Sequence, residues 1–223
     1  MKTWRIWLIL ALGLIAGASV YMLLSTLERP QPYGGTELTG IAPNFQLIDQ
    51  NGLSVSLSDF YGQIVVLTFM DSECKDTCPL TAADLRQAYR QLDQNEARQV
   101  VFLGVNVNVE ANTAKAVLQA THEWLLEEIP GWHFLTGRRE DLEPVWKDYA
   151  IAVVPGPDGN EITHTPGVFI IDSLGQQRWY VSTPYSAEGN AEWTLPLSDL
   201  LLKHIYEILN ENISGYLGEF HVI

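Results

Sequence analysis

The chain has 223 residues, enough for one globular domain of ordinary size with extra segments, and 47% of them are hydrophobic, enough for one substantial core. Its formal charge is −14, and without Lys2 and Arg5 the remainder has 11 basic against 27 acidic side chains, −16. A surface of that sign repels nucleic-acid phosphates and anionic lipid headgroups, so nucleic-acid binding is excluded as a function class, while a cationic partner or a metal ion is tolerated.

From Ile6 to Leu24 no residue is charged, and Lys2 and Arg5 precede the run, the pattern of a membrane-crossing helix with a positive cytoplasmic end. A cleaved signal peptide is the rival, because Ala16-Gly17-Ala18 has the form of a cleavage site. The apolar run continues past that site to Leu24, which favours a retained anchor over residues 1–27 and a domain on the extracytoplasmic side of the cell membrane. Residues 28–35 (ERPQPYGG) read as a linker, with the folded domain over 36–223.

Phe45 and Leu47 alternate with polar neighbours, Asn51-Gly52 is a turn signal, and Val55 and Leu57 alternate again, which predicts a β-hairpin. Ile64 to Met70 is a continuous β-branched and aromatic run and predicts a strand buried on both faces. Leu80, Leu85, Ala88, Tyr89 and Leu92 then share one helical stripe, with Pro79 in the first turn. Further strands are expected at Val100–Val107, His133–Leu135, Gly167–Ile171 and Gln177–Val181, and helices near Thr113–Leu126, Glu140–Tyr149 and Leu197–Leu209. The stretches 154–161 and 182–191 read as loops. Strands alternating with helices of this length imply a mixed α/β sheet covered on both faces.

The chain's only cysteines, Cys74 and Cys78, fall where the buried strand hands over to the first helix, a usual place for reactive groups in an open α/β sheet. Positions four apart lie on one side of a helical turn. Three readings remain open for the pair. A structural disulfide would close a loop too small to stabilise much. A redox dithiol is the second, with Cys78 near a helix N-terminus expected to gain thiolate character from the amide dipoles. Two thiolates also suit a soft ion such as Cu(I), although two ligands alone make a poor site. Asp71, Glu73 and Asp76 oppose thiolate formation and Lys75 favours it.

Of the five histidines, His122, His133, His204 and His221 read as packing or surface residues. His164 differs in context: it stands in EITHTPGVFIID, directly before Thr165-Pro166 and a predicted strand, which makes it a candidate ligand and Thr165-Pro166 a candidate cis peptide.

The segment GTELTGIAPNFQLIDQNGLSVSLSDFYGQIVVLTF resembles the first hairpin and core strand of exported thioredoxin-like proteins. CKDTCPLTAADL resembles the Cys-x3-Cys-Pro motif of the Sco/SenC family, the copper chaperones of cytochrome c oxidase assembly, and FLTGRREDLEPVWKDYAI and THTPGVFIIDSLGQQR are similar to that family's later segments in order and spacing. The likeness covers Gly35 to about Val181. It implies a thioredoxin-like fold with an inserted hairpin, held by an N-terminal membrane anchor. It further implies that Cys74, Cys78 and His164 bind one copper ion, Cu(I) or Cu(II), for delivery to the oxidase subunit holding the dinuclear copper site, with a thiol reductant such as an exported thioredoxin-like protein keeping the cysteines reduced. The alternative is a thiol-disulfide oxidoreductase acting on the oxidase copper-site cysteines, with Cys74 attacking and Cys78 resolving. Two departures from the family pattern are the acids Asp71 and Glu73 ahead of the first cysteine and the glycine-rich stretch upstream of His164.

Overall fold

The structure, a computed structural model, describes residues 4, 13–18, 34–156, 162–182 and 195–219. Most of the expected anchor and linker, parts of both expected loops and His221 lie outside the described residues. Residues 13–18 are helical, and among the described residues no helix is long and apolar enough to cross a membrane.

Six strands form one sheet: β1 (Thr36–Glu37), β4 (Ile64–Met70), β5 (Val100–Asn106), β6 (His133–Leu135), β9 (Val168–Ile171) and β10 (Gln177–Val181), in the order β1-β10-β9-β4-β5-β6. The β4-β5-β6 half is parallel, with Ile64 opposite Val100 and Leu103 opposite His133, while β9 runs antiparallel to β4 and closes the mixed sheet. Two hairpins stand apart from it, β2 (Gln46–Ile48) with β3 (Ser54–Ser56), and β7 (Val153–Pro155) with β8 (Ile162–His164). The helices are α1 (Thr77–Gln91), the single turn α2 (Gln94–Ala97), α3 (Ala114–Glu123), α4 (Arg139–Asp148) and α5 (Leu197–Glu219).

All seven residues of β4 are buried, and the strand's alternation divides them between two cores. Ile64, Val66 and Met70 meet Ala82, Leu85, Val117, Leu200 and Ile205 from α1, α3 and α5. Val65, Leu67 and Phe69 meet Phe45, Leu47, Leu142 and Trp146 from the β2–β3 hairpin and α4 on the other face. The central pair β4 and β5 therefore carries a double load of apolar burial and holds the loops at its C-terminal end rigidly. Gly104 in β5 has a packing reason: a Cβ there would stand 2.9 Å from the Trp132 ring.

The mixed sheet with helices on both faces matches expectation, with three differences. Short strands β1 and β7–β8 form where loops or no structure were expected, and α5 runs on to Glu219 rather than ending at Leu209. No peptide bond is cis among the described residues, so Thr165-Pro166 is trans, correcting the cis candidate. The reason is local: Thr165 is already fixed through its backbone N–H to the Ala152 carbonyl (3.0 Å), and Gly167 supplies the change of direction into β9. His204 of α5 is fully buried, stacks on Trp179 at 4.0 Å, and lies between the Glu207 carboxylate and the Gly34 carbonyl.

Candidate metal centre

The end of β4 and the first turn of α1 are joined by residues 71–76, and buried polar groups set their path. The carboxylate of Asp71 accepts the Asn108 side-chain amide (2.8 Å) and the Glu73 backbone N–H (2.9 Å). Ser72 donates its N–H to Asn106 Oδ1 (3.2 Å) and its hydroxyl to the Ala111 carbonyl (3.0 Å). The segment after β5 thus clamps the one that carries Cys74. Asp71, expected to oppose thiolate formation, is a buried structural acceptor whose charge also acts against ionisation of Cys78.

Asp76 caps α1 with no side-chain hydrogen bond. Cys74 Sγ supplies what the cap lacks: it accepts the Cys78 backbone N–H at 3.4 Å, with the Thr77 hydroxyl 3.8 Å away. Cys78, 3% exposed, points into the core while Cys74 is half-buried at the surface. A hydrogen bond from the Cys78 thiol, opposed by burial and aided by the Cys78 backbone N–H, holds the Cys74 thiol down at about 5. The same contact, together with burial and the nearby Cys74 and Asp71 charges, pushes the Cys78 thiol well above the ordinary thiol range. This reverses the expectation that Cys78 is the thiolate: the helix N-terminus serves Cys74, because the donor is the amide of Cys78 and the acceptor is the sulfur four residues earlier. Lys75, the expected cationic helper, pairs instead with Glu123 of α3 at 3.5 Å.

His164 ends β8, opposite Val153 of β7. Its Nδ1–H donates to the Thr165 carbonyl (3.1 Å), which leaves Nε2 as the nitrogen available to a ligand or metal. Cys74, Cys78 and His164 line the walls of one cleft of about 550 Å³, with Phe69, Thr81 and Pro166 among its other walls. Within it the two sulfurs are brought together, whereas the imidazole does not close on them: among the described residues no three His, Cys, Asp or Glu side chains converge tightly enough to enclose a metal ion. The donor set itself fits a soft ion, with two sulfurs, one already thiolate-prone, and one imidazole lining the same cleft. The other histidines among the described residues serve elsewhere: His122 meets Glu127 (3.3 Å), His133 meets Asp49 (3.2 Å), and His204 is the buried packing residue described above.

The sequence reading missed the clamp formed by Asn106 and Asn108. Its trace was two asparagines spaced by one residue at the end of an otherwise apolar strand, a place where buried amides commonly hold loops.

The SCO1/SenC family model matches residues 34–193. Among curated proteins, the chain is 29% identical over 153 residues to the mitochondrial SCO2 homologue of Bos taurus, covering 65% of this chain and 55% of that protein. It is 24% identical over 182 residues to an SCO2-like protein of Rickettsia typhi, covering 77% and 87%. The chain thus spans only about half of the bovine relative but most of the bacterial one. Among solved structures, Arabidopsis thaliana ScoI with copper bound superposes with a TM-score of 0.62 at 21% identity, over 77% of this chain and 99% of that one. Bradyrhizobium japonicum ScoI with copper bound gives 0.57 at 22%, over 76% and 99%. The fold is therefore the thioredoxin-like Sco fold, and with the family model matching most of its length this chain belongs to the SCO1/SenC family.

Proposed function

We propose that the protein is a membrane-anchored copper chaperone that takes up one copper ion through Cys74, Cys78 and His164 and delivers it to the dinuclear copper site of cytochrome c oxidase. The single observation that carries this reading is the shared cleft: a thiolate-prone sulfur, a second sulfur beside it and an imidazole whose Nε2 is left uncommitted all face one space. Copper is the cargo. Two soft thiolates and one imidazole suit Cu(I) and can also hold Cu(II), and three donors leave one face for the acceptor's ligands to enter. Loading displaces the Cys78 proton, so uptake requires both thiols reduced and becomes redox-gated, with an exported thioredoxin-like reductant as the supplier of electrons. The binding of copper by family members with solved structures supports the choice of metal. Closing the site requires the β7–β8 hairpin and the cysteine segment to approach. Anchoring by residues 1–27, with the domain on the extracytoplasmic side, belongs to the same proposal.

The test is Cu(I) competition with a chromogenic chelator on the reduced full-length chain. One equivalent should bind, Cys74→Ser and Cys78→Ser should abolish tight binding, and His164→Ala should weaken it. Substoichiometric copper, or an affinity indifferent to His164→Ala, refutes the three-ligand site.

One observation favours a second reading, a thiol-disulfide oxidoreductase: the more exposed sulfur is the one held toward the thiolate, and the buried one is held toward the thiol. In that reaction Cys74 attacks a substrate disulfide and expels one substrate thiolate. Cys78 then gives up its proton, displaces the second substrate thiol, and leaves a Cys74–Cys78 disulfide for an external dithiol to reduce. Steady turnover on a disulfide peptide, unchanged by His164→Ala, is its signature.

A further inference from the structure

We propose that Tyr180 is a positioning residue for His164, its hydroxyl setting, through the Pro166 carbonyl, how the imidazole is aimed within the cleft that it shares with the cysteine pair. The inference rests on the copper reading above and names a residue outside its three ligands.

Residues 165–167 are tied down on three sides immediately after His164. Thr165 is held on β7's side, donating its N–H to the Ala152 carbonyl and accepting the Ala152 N–H on Oγ1, each at 3.0 Å. Thr68 of β4 donates its hydroxyl to the Gly167 carbonyl at 3.2 Å. Between these two, the Tyr180 hydroxyl of β10 donates to the Pro166 carbonyl at 2.5 Å. Its ring presses on Gly167 so closely that a Cβ there would stand 2.4 Å from a ring carbon. The ring also packs against Phe169 at 5.0 Å.

The carbonyl that takes the His164 Nδ1–H belongs to Thr165, whose peptide leads directly into Pro166. The Thr165–Pro166 peptide that bears this carbonyl has no N–H, so its plane is set by the peptides on either side, and the Pro166 carbonyl, in the peptide that follows, is a handle on it. Tyr180 holds that handle. The Ala152 carbonyl fixes the peptide before it through the Thr165 N–H, and Tyr180 fixes the peptide after it, so the hydroxyl governs the tilt of the Thr165–Pro166 peptide and, through the carbonyl that takes the Nδ1–H, the aim of the His164 ring. A role limited to packing would need only the ring against Phe169 and Gly167.

Tyr180→Phe separates the two roles because it keeps the ring and deletes the hydroxyl. The full-length reduced chain is measured by Cu(I) competition, alone and combined with His164→Ala. The Tyr180→Phe change should weaken copper about fivefold, the scale of one lost hydrogen bond, and should have no effect once His164 is alanine. In the metal-free protein, nitrogen NMR of His164 should show Nδ1 less uniformly protonated in Tyr180→Phe. Thr68→Val, which frees the Gly167 carbonyl, is a second route to the same effect and should also depend on His164. An unchanged affinity, or an equal loss in both backgrounds, overturns the proposal. If His164→Ala alone leaves copper binding intact, the copper reading fails instead, and an unaltered His164 NMR signature in Tyr180→Phe then overturns the positioning role independently.

Discussion

The asymmetry between the two thiols can be tested by alkylation. In the reduced protein, iodoacetamide should label Cys74 alone, with a rate that rises through a midpoint at about 5 and is flat above it. At pH 6 such a group is about 90% thiolate, against roughly 0.3% for an ordinary thiol near 8.5, a ratio of roughly 300. A less basic thiolate is a weaker nucleophile, and a Brønsted slope of about 0.45 over about 3.5 units removes roughly 40-fold of that advantage. The net expectation is therefore roughly an eightfold faster reaction than a free thiol at pH 6, fading to parity near pH 7. The Cys78 thiol is the largest cause of the depression, so in Cys78→Ala the Cys74 midpoint should climb toward the ordinary value while the backbone N–H bond keeps part of the shift. Mass spectrometry locates the label and stopped-flow quenching gives the rate. A native midpoint near 8.5, or one that does not move in Cys78→Ala, refutes the hydrogen-bonded pair. The sign for stability follows: the depressed Cys74 stabilises the fold above the unfolded thiol value and that contribution is lost as pH falls through about 5. The raised Cys78 acts oppositely, so stability of the reduced protein should climb from pH 5 to a maximum near 8.5 and decline beyond it.

Leu85→Ala empties a fully buried position between α1 and the sheet and should cost about 2–5 kcal/mol in urea unfolding; a loss below about 1 kcal/mol contradicts the packing described. Gly104→Ala drives a Cβ into the Trp132 ring and should cost about 1–3 kcal/mol, with altered tryptophan fluorescence as the indole loses its bond to Thr121. Asp49 is held below its ordinary value although burial opposes this, because Leu53 and Asn51 N–H groups and His133 bond its carboxylate. That contribution is present above about pH 4 and is lost as pH falls, so Asp49→Asn should flatten the acid limb of the stability profile; an unchanged limb refutes it.

The sheet's centre was legible because β4 and β5 carry uninterrupted apolar runs, and burial on both faces leaves no other reading. The β7–β8 hairpin escaped because its strands are three residues each, none of them fully buried, and stabilised by pairing with each other and not by any periodic burial. Pattern reading registers burial, and this hairpin has little. The cysteines were recognisable as a functional pair from spacing, but the sequence does not say which one keeps the proton. That depends on Cys78 turning into the core and Cys74 capping the helix, both tertiary facts. His164 was singled out by its setting before Thr165-Pro166, yet its placement in the cysteine cleft rests on β8, which the sequence did not reveal. The role of Asp71 against the thiols was legible from its place beside them, but its burial was not, because its partner, Asn108, comes from another segment.

The capture of Gly34 by His204 has a mechanical meaning. A pull on the chain where it enters the domain is met first by this latch on α5 and by β1, whose Thr36 pairs with Tyr180. Tension from that end thus reaches, through the Thr36–Tyr180 pair, the residue that grips Pro166, two positions from His164.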